Sequence, residues 1–223
     1  MCVRIYLSGL LGFLFMLTAE AGVGNSSAMP FCSETEQCLM FDLICESDEY
    51  EVRHYDSVKW VSTTERSIFM EMAAMKAFKR LYKYIDGGNE KGKKIEMTAP
   101  VLIKMVDKKF WQKSEYTMSF LLPAEDQENP PTPTDSNVKF VNKADFHSFK
   151  TFKTYLDLCS RISVFGFRSK KDFFVLQLDS INAKYSKGFH FGAGYNSPMT
   201  MFKRHNEVWF VAEGEPVCPD EWE

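Results

Sequence analysis

Residues 67–105 read SIFMEMAAMKAFKRLYKYIDGGNEKGKKIEMTAPVLIKM, and this stretch organises the chain. Within Ser67–Asp86 the apolar side chains fall at Ile68, Met72, Met75, Leu81, Tyr82 and Ile85, with Phe69 and Phe78 beside them. Such spacing keeps returning to one side of an α-helix, so an amphipathic helix is predicted. Gly87-Gly88-Asn89 should stop it, because Gly and Asn tolerate the left-handed conformation of a C-cap. The chain then turns at Glu90–Lys94 and continues as a strand, Ile95–Val106, with Pro100 inside it. A proline has no N–H for a ladder, so Pro100 marks an edge, a bulge or the end of a strand. Gly87–Lys94 nearly spells a phosphate-binding loop. Lys94 stands where that loop needs Ser or Thr, and the helix precedes the turn instead of following it, so a solvated basic turn is the better reading.

Outward from this stretch, further segments alternate. Tyr50–Tyr55 carries Tyr50, Val52 and His54 on one side and Glu51, Arg53 and Tyr55 on the other. Val58–Thr64 is rich in β-formers. Glu115–Leu122 presents Met118, Phe120 and Leu122 together, and the prolines at 123, 130, 131 and 133 make Pro123–Asn137 a loop. In the second half, strands are expected at Val138–Val141, near Tyr155–Phe165, at Phe189–Tyr195 and at Asn206–Val211. A helix is expected at Ser169–Tyr185, ending at Lys187-Gly188. A strand–strand–helix–strand–strand unit therefore occurs twice, which suggests duplication. Helices packed on an antiparallel sheet define an α+β fold.

The 223 residues suit one domain with small extensions, and the net charge of −3 speaks against a general nucleic-acid binder. Twenty Phe residues supply either a large core or a large apolar cavity. At the N-terminus, Arg4, the apolar run Ile5–Leu17 and Ala19-Glu20-Ala21 have the form of a signal peptide over residues 1–21, with a mature chain from Gly22. The run is short for a membrane span; a retained anchor is the competing reading. Asn25-Ser26-Ser27 is a glycosylation sequon. Cys32, Cys38, Cys45, Cys159 and Cys218 then fit two disulfides and one free thiol in a secreted protein, tying both chain ends to the body. Residues 22–48 form a Cys-rich extension, 49–213 the main domain and 214–223 a tail.

Six ordered motifs carry a family resemblance. They are Tyr50–Tyr55, Lys59-Trp60-Val61-Ser62, Tyr84-Ile85 with Asn89-Glu90-Lys91, Lys94–Val101, Ala193–Pro198 and Asn206-Glu207-Val208-Trp209. Over Tyr50 to Val211 the chain resembles the SOUL haem-binding protein family. The resemblance implies a pseudo-twofold, distorted barrel of antiparallel strands flanked by two helices, related to bacterial effector-binding domains. It implies reversible binding of haem or a related porphyrin, without catalysis. In the family, residues along the first helix line the haem site, which here means Met72, Met75, Phe78 and Leu81. Lys83 matches a basic position near the propionates. Met75 stands where one branch has arginine and Thr200 where that branch has lysine, with Lys203, Arg204 or His205 as substitutes. His54 matches a proposed axial iron ligand, and imidazole is an ordinary haem ligand; a core histidine bonded to backbone is the alternative.

Physical chemistry favours the apolar wall over the charges. Burying a porphyrin covers roughly 500 Å² of apolar surface, about 12 kcal/mol gross at ~25 cal/mol per Å². An exposed ion pair to a propionate adds only about 0–1 kcal/mol. Met side chains adapt well to a flat ring. No nucleophile elbow, zinc-protease helix or ordered Cys/His signature points to an enzyme. Two other functions suit the same scaffold: a carrier of another hydrophobic ligand or peptide, and an extracellular interaction protein with a vestigial pocket. A monomer without stable membrane insertion is expected.

Overall fold

The computed structural model describes residues 22–47, 50–106, 112–143, 146–156, 164–200, 204–216 and 218. Two short strands open it, β1 (Val23–Asn25) and β2 (Gln37–Leu39), followed by β3 (Asp42–Glu46). Then come β4 (Glu51–Tyr55), β5 (Val58–Ser67), α1 (Met70–Ile85), β6 (Val101–Val106) and β7 (Ser114–Leu121). The remainder is β8 (Lys139–Lys143), β9 (Phe146–Leu156), α2 (Val164–Ser180), β10 (Phe189–Gly194) and β11 (Arg204–Val211). β1 and β2 pair with each other, and the other nine strands form one sheet in the order β3-β4-β9-β11-β10-β6-β7-β5-β8. Every described ladder in that sheet is antiparallel. The fold is thus α+β, a large antiparallel sheet with two helices. Among the described residues no ladder joins β3 to β8. From β4 to β8 the order has a simple property: exchanging β4 with β8, β5 with β9, β6 with β10 and β7 with β11 reverses it and leaves it otherwise unchanged.

Alternation along the strands splits the core. One face collects Trp60, Leu102, Leu121, Phe191, Ala193 and Trp209. The opposite face carries the helices: Val61, Ile103, Met118 and Phe120 meet α1, while Val52, Val208 and Phe210 meet Phe174 and Leu178 of α2. The Cys-rich extension is not a loose appendage. Val23, Cys32, Cys38 and Leu39 are buried in the first cluster against the sheet. Cys32 is bonded to Cys38, and Cys45 at the end of β3 is bonded to Cys218 in the tail, so the two ends are tied together. Cys159 lies outside the described residues, as do residues 1–21, where a signal peptide is expected, and Lys203.

The α1 region departs from its sequence reading in an informative way. The buried side consists of Met70, Ala73, Ala74, Ala77, Leu81, Tyr84 and Ile85. Three alanines let the helix sit close on β5 and β7, and the larger side chains fill in around them. Ile68, Met72, Met75 and Tyr82, which the spacing groups with Leu81 and Ile85, are instead 49%, 54%, 60% and 50% exposed. The helix stops as expected: Gly87 has φ +99°, and a Cβ on Gly88 would lie 2.5 Å from the Lys83 carbonyl oxygen. Asn89 serves by its side chain, donating to the Tyr84 and Lys93 carbonyls and accepting from the Lys91 and Lys93 N–H groups. The following strand begins only at Val101, directly after Pro100, whose bond to Ala99 is cis.

In the second half the segment expected as a strand near Tyr155–Phe165 lies earlier, as β9, and α2 begins at Val164 and ends at Ser180. Asn182, with φ 52°, takes the left-handed turn after the helix, well before Lys187-Gly188. Tyr185 has helical spacing but is buried from the loop, bridged to Ala212.

Candidate functional site

The outer side of α1 and the residues leading into it carry a run of exposed apolar side chains. Ile68, Phe69, Met72, Met75 and Tyr82 are each about half exposed or more, and Phe78 is half-buried. At the helical repeat, Met75, Phe78 and Tyr82 follow one flank, Lys76 and Lys83 the other, with Lys79 between them. Phe78 stacks on Tyr82 with ring centroids 6.0 Å apart and meets Phe120 edge-on at 5.4 Å, so its ring is anchored to the sheet. Leu81 is fully buried beneath the helix and does not contribute to this surface. Among the described residues Lys76, Lys79 and Lys83 make no ion pair, whereas Arg80 is engaged by Glu65 at 2.5 Å and Asp135 at 3.4 Å. Lys83 also sits in the last turn of α1, where a cation is favoured by the helix dipole. This is an open face. Two clefts of about 490 and 430 Å³ lie elsewhere, one beside Lys59, Pro130 and Phe140, the other beside Asp179 and Tyr185.

The remaining candidates scatter. His54 is on the Val52 side of β4, the side that carries α2, while α1 rests on β5 and β7. Its imidazole is 30% exposed, with Nδ1 3.9 Å from an Asp42 carboxylate oxygen. Arg204 and His205 are buried, and so are not solvated surface charges. Thr200 donates through its hydroxyl to Glu34 at 2.7 Å. Asn25 is exposed and its side chain caps a short turn by accepting from the Ser27 N–H.

Sequence reasoning missed a buried ionic cluster between the two faces of the family motifs. Arg53 donates to Glu51, to Glu207 at 3.1 and 3.2 Å, and to the Tyr55 hydroxyl. Glu207 also accepts from the Tyr195 hydroxyl at 2.8 Å and the Trp209 indole at 2.6 Å, and faces His205 Nε2 at 2.8 Å. Burial raises the Glu207 carboxyl pKa, but the His205 bond and the Arg53 charge outweigh it and hold the value below the ordinary one. The Arg53 pKa is pushed up, burial being overcome by Glu207. Tyr55 and Tyr195 are raised chiefly by burial, so both stay neutral, Tyr195 donating to Glu207 and Tyr55 accepting from Arg53. Phe41 lies over the guanidinium, its ring centroid 4.0 Å away. The available signal was parity: Arg53 and Tyr55 alternate with Val52, and Glu207 and Trp209 with Val208, which puts charged and aromatic side chains on one face.

Fold and motifs together define a protein of the SOUL class: residues 36–211 match the family model described as SOUL heme-binding protein, and the chain belongs to that family. Heme-binding protein 2 of Homo sapiens is 36% identical over 179 residues, covering 77% of this chain and 82% of that protein. Heme-binding protein 1 of Bos taurus is 27% identical over 174 residues, covering 74% and 84%. Both are named as binding proteins, not enzymes. The EcmrR C-terminal domain shares the fold alone, with a TM-score of 0.54 at 10% identity over 78% of this chain and 99% of that domain. Among the described residues no helix is long and apolar enough to cross a membrane.

Proposed function

We propose that this protein is a secreted, monomeric binder of haem or a related tetrapyrrole that seats the porphyrin on the outer face of α1. The observation that carries the reading is the uncovered apolar stripe Phe69, Met72, Met75, Phe78 and Tyr82 beside Lys76, Lys79 and Lys83, which make no ion pair among the described residues. An apolar disc with two carboxylates on one edge matches such a surface: thioethers and rings meet the disc, and Lys79 or Lys83 meets a propionate. The names of the relatives support the ligand class. His54 is the candidate iron ligand only in a second reading: it lies on the α2 side of β4, away from this face, so a ring it ligates would sit there instead, where the imidazole is 30% exposed. Reversibility follows from a surface that is open on one side, since little ordering or closure opposes release.

Secretion is supported by the two disulfides and by the signal-like residues 1–21. Exposed Asn25 suits a glycan. The symmetry of the strand order favours a duplicated unit wrapped towards a barrel. Titration of purified protein with ferric haem, followed in the Soret band, tests the central claim. A saturable shift at one equivalent is expected. A featureless spectrum with a bound non-porphyrin ligand recovered from native protein would favour the carrier reading instead.

A further inference from the structure

The turn between β10 and β11 is preformed to grip a carboxylate. The Thr200 N–H donates to the Ser197 carbonyl at 3.0 Å, the Met199 N–H to Ser197 Oγ at 3.2 Å, and the His205 N–H to Asn196 Oδ1 at 2.7 Å. None of these bonds involves the N-terminal extension. They leave three donors on one side: Asn196 Nδ2, the Ser197 N–H and the Thr200 hydroxyl. Glu34, on the loop closed by Cys32–Cys38, accepts from all three at 3.1, 2.6 and 2.7 Å. Desolvation opposes its ionisation, yet these bonds and the charge of Arg204 hold its carboxyl below the ordinary value. Arg204 is 94% buried, and its Nε has no hydrogen-bond partner among the described residues. An unanswered charged donor at this depth is costly.

Beside the turn is a seat for a ring. Phe31, three residues before Glu34, stacks on the His205 imidazole with centroids 4.7 Å apart at 14°. It meets Tyr195 edge-on at 4.9 Å and lies 5.6 Å from the Arg53 guanidinium. The loop therefore delivers one aromatic ring and one carboxylate to two positions that the sheet domain builds without it. We propose that this is a second ligand site, for a planar aromatic carboxylate, and that Phe31 and Glu34 occupy it as a built-in stand-in for that ligand. Because Asn196–Thr200 is held by hydrogen bonds of its own, a ligand recovers its contacts with little ordering cost.

The test uses the full mature chain, wild type and as Glu34→Gln and Phe31→Ala/Glu34→Gln variants. The probe is 2-naphthoate, with 2-naphthalenemethanol as its uncharged counterpart, each titrated by calorimetry. Circular dichroism checks folding; should the double variant not fold, exposed Glu34→Gln decides alone. The double variant is expected to bind 2-naphthoate at least tenfold tighter than wild type, and the single variant about threefold tighter. Binding should favour the acid over the alcohol by tenfold and shift the Ser197 and His205 amide resonances. Equal affinity in wild type and Glu34→Gln, equal binding of acid and alcohol, or unmoved amides would overturn the proposal.

Discussion

The guanidinium of Arg53 and the carboxylate of Glu207 meet at 3.1 Å inside the protein, with side chains only 1% and 0% exposed. The two residues are 154 positions apart, so this contact joins the first strand of the main sheet domain to the last. Removing one partner strands the other charge away from water, which costs about 3–5 kcal/mol. Glu207→Gln and Arg53→Met should each lower the stability measured by urea unfolding by that order. The double variant should lose clearly less than the sum, because both single losses contain the same Arg53–Glu207 interaction, although Glu51 is left without its cation in every variant that lacks Arg53.

Acid should weaken the same cluster with a definite sign. The Glu207 carboxyl lies below its ordinary value of 4.5 in the folded chain. Its contribution is therefore fully present above that value and is lost as the pH falls through the lower folded one. Urea midpoints of the wild type should decline steeply below pH 4.5, while Glu207→Gln shows a shallower decline. Parallel curves would mean that Glu207 is not the group that senses acid.

Why the sequence announced some of this and concealed the rest is visible at particular residues. Gly87 punctuates by backbone geometry alone, so the end of α1 was legible, whereas Pro100 was read as lying inside a strand from Ile95 and β6 begins only after it. Periodicity located α1 but not its buried side, because Ala73, Ala74 and Ala77 score weakly as apolar yet pack closest to the sheet. Met72 and Met75 look like core and face solvent. In α2 the same period ran on through Ile181 and Tyr185, which are packed by the loop. Arg53, Glu51 and Glu207 received no role in the sequence reading, because nothing local marks a pairing across such separations. The family motifs contained them without disclosing that they touch.

The exposed face of α1 makes its own test clean. Met75 is 60% exposed, so Met75→Asp leaves the free protein folded and hydrated. Covering that carboxylate with a porphyrin would strip its water without a partner, a penalty of several kcal/mol. Haem affinity in a Soret titration should fall at least tenfold. Leu81→Asp, by contrast, places a charge in the core and should unfold the chain by circular dichroism. Wild-type haem affinity in folded Met75→Asp would remove α1 from the site.

The bond between Cys45 and Cys218 closes a loop of 173 residues. Cross-links that restrain long unfolded loops typically contribute about 2–5 kcal/mol. Cys45→Ser/Cys218→Ser should lower the urea-unfolding stability accordingly. Non-reducing peptide mapping of the wild type should recover 45–218 and 32–38 as linked pairs and a mature N-terminus at Gly22. An intact residue 1 with free thiols at these positions would contradict secretion.

His54 separates iron ligation from plain adsorption of a flat ring. Its imidazole is 30% exposed and near a solvated Asp42 carboxylate, so it is neither locked in the core nor fully free. It also lies on the side of β4 that carries α2, not beneath α1. If it ligates the iron, His54→Ala should shift the Soret maximum and the spin-state bands, because the axial ligand sets the electronic state of the metal. The variant should then bind ferric haem at least tenfold more weakly while holding metal-free protoporphyrin as the wild type does, since that ring has no iron to ligate. Should both ligands lose affinity equally and only slightly, the apolar face holds the ring by itself and His54 is structural. Should haem alone lose affinity, the ring lies beside His54 on the α2 side of β4 and the seat on α1 is ruled out, against the ranking that area and exposed-charge magnitudes favour.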